Sequence, residues 1–152
     1  MMRWEQGRPT VERLLAERHL DQVPASREHA DALLEKARSA RMLVDSEPAA
    51  GYALAYDAAR MALTAVLENQ GLRPTSRGGH LAVLDAVTAQ LDPPLGADVR
   101  AVNRLRLRRN RLEYPFGSEP TVTPDELVEA LAKVDVAIGL ASKVLGAMPP
   151  WS

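Results

Sequence analysis

Six arginines fall between residues 99 and 116, namely Arg100, Arg104, Arg106, Arg108, Arg109 and Arg111, out of 19 lysines and arginines in the chain. Read as a helix, this segment lines up Val102, Leu105 and Leu112 as one apolar stripe. Arg109 stands on the same stripe, where a fourth apolar residue would be expected. A guanidinium cannot shed its charge, so on a packed face it needs a carboxylate, a phosphate or water. Pro115 ends the helix and leaves Asn110, Glu113 and Tyr114 on its last turn. Here the sequence gives up packing for polar chemistry. The same arginines also fit a solvated helix face, with Arg109 bridged to a carboxylate on a neighbouring helix.

The elements that must hold this segment in place read as helices. Pro9-Thr10 open a short one with Val11, Leu14, Leu15 and, further on, Leu20 on one side, and Trp4 ahead of it can dock back on the body. Ser26 is a fitting N-cap for a helix over about 26–46, with Ala30, Leu33, Leu34, Ala37 and Val44 inward and Arg27, Glu28, Asp31, Glu35 and Arg38 outward. A second long helix runs over about 48–70, with Tyr52, Ala55, Tyr56, Ala59, Leu63, Val66 and Leu67 inward and Gly71 as its C-cap. Its alanines suit close helix–helix approach, inside a bundle or across a dimer. The stretch 71–79 reads as a flexible, modestly basic loop containing Arg77; without a lysine–hydroxyl ending or a preceding strand it is not a nucleotide P-loop. A third helix over about 79–92 has Leu81, Leu84, Val87 and Leu91 inward and stops at Asp92-Pro93-Pro94. After the arginine helix, Thr123-Pro124-Asp125-Glu126 form a capping box for a last helix with Leu127, Leu131, Val134, Ile138, Ala141 and Leu145 buried. No stretch reads as a strand. The expected fold is all-α: an antiparallel helical bundle of four to five main helices plus a short N-terminal helix.

Composition narrows the function classes. At 152 residues, 46% apolar and 26% charged, the chain is of a size and balance to bury one domain core. A net charge of −1 gives no global pull toward nucleic acid or an anionic membrane, so any such attraction must be local to the arginine segment. There is no cysteine, which excludes disulfides, thiol catalysis and cysteine-based zinc sites. His19 and His29 lie in polar stretches, and His80 follows two glycines at a helix start beside the basic loop. None of the three has metal-ligand spacing, so neither a metal nor another cofactor is expected. With no membrane-length apolar run and no signal core, the chain reads as cytoplasmic.

The run Arg109-Asn110-Arg111-Leu112-Glu113-Tyr114 resembles the motif of HEPN domains (higher eukaryotes and prokaryotes nucleotide-binding), in which an arginine and a polar neighbour precede a histidine near the end of a late helix. The run at 52–60 is similar to that family's second helix, and Gly78-Gly79-His80 to its inter-helix loop. The likeness covers residues 25–147 and is greatest to an actinobacterial-type subgroup whose motif ends in Glu-Tyr-Pro. Residues 1–24 are then an N-terminal extension and 148–152 a tail. The resemblance implies an all-helical bundle that cleaves RNA without metal, commonly as a homodimer with two motifs facing one cleft, in toxins or defence nucleases encoded beside a nucleotidyltransferase or other antitoxin. On this resemblance Arg109 would stabilise the phosphate, Asn110 would orient it, and Tyr114 or Glu113 would move the proton, with Arg104, Arg108, Arg111, Arg77 and His80 as further RNA or phosphate contacts. This chain departs from the family where Tyr114 takes the place of the histidine. An unperturbed phenol, with a pKa of about 10, is a poor base near pH 7. The alternative is a module of the same fold that has lost catalysis and binds a nucleotide, RNA or a partner protein such as the antitoxin.

Overall fold

The structure is a computed structural model and describes residues 2–45, 47–113 and 121–152. Helix α1 spans Arg8–Ala16, α2 Arg27–Met42, α3 Pro48–Gln70, α4 Gly79–Leu91, α5 Gly96–Glu113 and α6 Pro124–Val144. Among the described residues these six helices form an all-α bundle, with five main helices and α1 as the short one. No described helix is long and apolar enough to cross a membrane.

Helix α3 is the axis, packing against α2, α4, α5 and α6. Its alanines make this possible. Ala55, Ala58, Ala59, Ala62 and Ala65 are wholly buried on several faces, so neighbours approach the backbone from more than one side. Between Gly51 and Gln70 the helix reads as an interior helix rather than an amphipathic one. Its ends are set by local chemistry: the Glu47 carboxylate accepts from the Ala50 N–H at 2.6 Å, Pro48 takes the first helical position, and Gly71 closes the C-terminus at φ 81°. A Cβ on Gly71 would strike the Val23 carbonyl oxygen, so glycine is required there by both conformation and space.

Two sequence expectations are overturned. Leu20–Gln22 and Leu72–Pro74 form short antiparallel strands, β1 and β2, pairing Leu20 with Pro74 and Gln22 with Leu72. The stretch after Gly71 is therefore partly a strand and not a loop throughout. Three-residue strands are too short to show an alternating pattern in sequence, and what holds this pair is the burial of Leu20 and Leu72. Leu81, expected inward, is exposed, and Ala82, Val83, Ala86 and Val87 face the core instead. Residues 81–84 are four apolar residues in a row, which leaves the phase of a helix undetermined.

Other local readings are met. Ser26 caps α2 by accepting from the His29 N–H at 3.0 Å, and Thr123 caps α6 by accepting from the Glu126 N–H at 3.1 Å. The other half of that expected capping box differs, because the Glu126 carboxylate takes Arg108 as its partner. Trp4 docks through its indole N–H on the Gln90 carbonyl at 3.0 Å. The chain's two ends meet: Arg8 donates to the Ser152 carbonyl at 2.9 Å and lies 4.2 Å from the Trp151 ring centre, while the Trp151 N–H bonds the Gln70 carbonyl at 2.8 Å. Residues 4–16 and 148–152 are thus packed on the bundle. In the interior, Gln70 of α3 and Gln90 of α4 exchange two amide hydrogen bonds of 2.6 and 3.0 Å with almost no exposure to water.

Candidate functional site

Helix α5 begins apolar and ends charged. Val99, Val102 and Leu105 are buried, and one turn further along the same stripe stands Arg109, its side chain 21% exposed. Opposite it, α3 carries Tyr56, Asp57 and Arg60, and α4 supplies His80 from its second residue. Tyr56 is buried to 1% exposure, whereas His80 reaches the surface. The Tyr56 hydroxyl and His80 Nδ1 are hydrogen-bonded at 3.0 Å. The Arg109 guanidinium lies 5.6 Å from the centre of the Tyr56 ring, within range of a cation–π contact. Its Nη2 is 3.2 Å from Glu113 Oε1, one turn along α5, and 3.8 Å from Asp57 Oδ1 across the helix interface. Arg60 Nε stands 4.0 Å from the same Asp57 oxygen.

Cations outnumber anions in this corner. Arg60, Arg106 and Arg109 act together on both Tyr56 and His80, against Asp57. Neither carboxylate satisfies the arginines fully: the Nε atoms of Arg60 and Arg109 are buried with no hydrogen-bond acceptor among the described residues. Leaving a buried charged donor unmet costs about 1–3 kcal/mol or more, and guanidiniums with spare donors suit an anion with several acceptor oxygens. Burial pushes the Tyr56 phenol up to about 12 even though the three arginines pull the other way, so it stays protonated. Burial lowers the His80 pKa below the ordinary histidine value of about 6.5, and Arg60 and Arg109 lower it further. The imidazole is therefore neutral near pH 7.

Of the residues singled out from sequence, the structure brings Arg109, Glu113 and His80 into one corner. Asn110, Arg104 and Arg111 lie exposed on α5. Arg108 faces α6, where its Nε and Nη2 reach the two Glu126 oxygens at 2.7 and 3.2 Å, beside Tyr52. Arg77 is exposed and lines a separate depression with Arg13, His19 and Asp85. Tyr114, and with it Pro115, lies outside the described residues. Among the described residues no group of three or more His, Asp or Glu side chains is placed to hold a metal ion.

Sequence reading missed Tyr56, Asp57, Arg60 and Arg106 as members of the site. A signal for two of them was present: Asp57 and Arg60 are the only charged residues between Pro48 and Leu67 in a helix otherwise built of alanine and other apolar residues. Charges on a helix with no outer face have to meet something polar. No family model, curated protein or solved structure matches the chain.

Proposed function

We propose that the corner where α3, α4 and α5 meet binds an RNA phosphodiester, and that the protein is a HEPN-type endoribonuclease that works without a metal. The observation that carries this reading is the part-buried pair Arg60 and Arg109, whose buried Nε donors have no acceptor among the described residues. Arg109 holds a non-bridging phosphate oxygen and stabilises the added charge of the pentavalent phosphorane. Glu113, 3.2 Å from the Arg109 Nη2, keeps the guanidinium in place. In this reading the protein acts in the cytoplasm as a toxin or defence component, as a homodimer with two such corners facing one cleft, and a nucleotidyltransferase or other antitoxin restrains it. The test is cleavage of single-stranded RNA in EDTA by wild type and by Arg109→Ala. Products from wild type alone support it, with a loss of about 10²-fold or more in the variant. A folded wild type that leaves RNA intact across pH 5–9 overturns it.

A second reading is a module of the same fold that binds a partner without catalysis. It is favoured by exposed Val136 on α6, which lines a depression with Ala101 and Ala132, and by the further exposed apolar residues Leu107 on α5 and Val128 on α6. Binding of RNA or of a neighbouring antitoxin with no cleavage would select it.

A further inference from the structure

We propose that His80, which lies outside the arginine helix, is the general base of this site, taking the proton from the attacking 2′-hydroxyl. The proposal rests on the endoribonuclease reading and goes beyond it by assigning the proton step to a residue of another helix, in place of Tyr114 or Glu113.

Three observations converge. First, position: His80 Nδ1 is bonded to Tyr56 at 3.0 Å, and the Tyr56 ring lies under the Arg109 guanidinium at 5.6 Å, so the imidazole and the phosphate-holding arginine flank one buried phenol. Second, orientation: Tyr56 occupies Nδ1 and the residue is exposed, which leaves Nε2 for a ligand. The direction of this bond follows the imidazole tautomer, and we take the one in which Nδ1–H donates to the Tyr56 oxygen; Nε2 is then an unprotonated acceptor, and after it takes a proton the same Nδ1–H bond persists. The ring therefore need not turn during the reaction. Third, protonation: the groups facing His80 are Tyr56, Asp57 and Arg60 from α3 and Arg106 and Arg109 from α5, three cations against one carboxylate. Partial burial of the ring, and after it these cations, keep the imidazole neutral, the state a base requires. Glu113 is less suited because its carboxylate is engaged with Arg109.

In the step itself the 2′-OH proton passes to His80 Nε2 and the 2′-oxygen forms a bond to phosphorus. The bond from phosphorus to the 5′-oxygen breaks, and that oxygen takes a proton from water. The products are a 2′,3′-cyclic phosphate end and a 5′-hydroxyl end, and the imidazolium returns its proton to solvent. No electron acceptor or metal enters the balance.

The experiment measures kcat/KM for a short single-stranded RNA in EDTA from pH 5 to 9, with RNA affinity measured alongside, for wild type, His80→Gln and His80→Ala. The expected result is a loss of about 10²–10⁴-fold in His80→Gln with RNA affinity within about threefold. Wild-type activity should fall tenfold per pH unit below its histidine pKa, a dependence absent from His80→Gln, and added imidazole should partly restore His80→Ala. If His80→Gln cleaves within a few-fold of wild type, or if His80→Ala loses RNA affinity and imidazole does not restore cleavage, the proposal is overturned while the ribonuclease reading stands. If wild type itself does not cleave, both fall.

Discussion

The chemistry of the site is set by which residues are denied water. Tyr56 and Tyr52 are 1% and 5% exposed, and burial pushes each phenol up to about 12. A tyrosine that keeps its proton in the folded state above its unfolded pKa of about 10 favours folding below that value, and the benefit is lost as pH rises toward 12. Each phenol should therefore remove up to about 2–3 kcal/mol of stability across pH 10–12. Urea unfolding at pH 8 and pH 11 tests this: wild type should lose stability steeply at the higher pH, and Tyr56→Phe should lose less. Equal losses in the two proteins would place Tyr56 in contact with water. The arginine on an apolar stripe was legible, because Val102, Leu105 and Leu112 fix the face that Arg109 shares. Its partners were not. Tyr56 and His80 are 24 residues apart in sequence, and no spacing rule links the face of one helix to the N-terminus of another.

The helices themselves were readable where their ends carry chemistry. Ser26, Glu47-Pro48, Gly71 and Thr123-Pro124 all stand at helix boundaries, since each satisfies or terminates backbone groups by a local mechanism. Phase was harder wherever apolar residues ran together, as at 81–84, and the β1–β2 pair lay below the length at which alternation can be seen. The Gln70–Gln90 pair is a further feature without a sequence signal, as two glutamines on separate helices look like ordinary polar residues. In the fold they fasten α3 to α4, and α4 is the helix that carries His80. Removing one partner strands a buried amide. Gln90→Leu alone should destabilise by about 1–3 kcal/mol, whereas Gln70→Leu combined with Gln90→Leu should recover part of that loss. Chemical denaturation of the four proteins of the cycle measures the coupling, and simple additivity would mean that the two amides do not act as a pair.

At the scale of the whole molecule, the bundle is closed by its ends. Trp151 is 8% exposed and its N–H reaches the Gln70 carbonyl, at the same point of α3 where the amide pair begins, while Arg8 joins Trp151 and Ser152 from the other terminus. Residues 148–152, set aside as a tail when read in sequence, carry core packing. Deleting them should cost about 3–5 kcal/mol, comparable to emptying a buried tryptophan site. Thermal unfolding of the shortened chain tests this, and an unchanged midpoint would show that the tail adds nothing to the core. Buried Leu20 and Leu72 anchor β1 and β2, a second junction between segments far apart in the sequence.

The seam between the two ends also has a consequence in time. A ribosome makes Trp4, Gln6 and Arg8 early, yet their partners Gln90, Pro93, Trp151 and Ser152 come much later. Contacts of such long sequence separation cannot form on an incomplete chain. The inner bundle of α2 to α6 can assemble as it emerges, whereas Trp4 and Arg8, made before it, must wait for Gln90 and then for Trp151 and Ser152, made after it. Residues 4–8 are thus made ahead of the bundle and seated on it after it has formed.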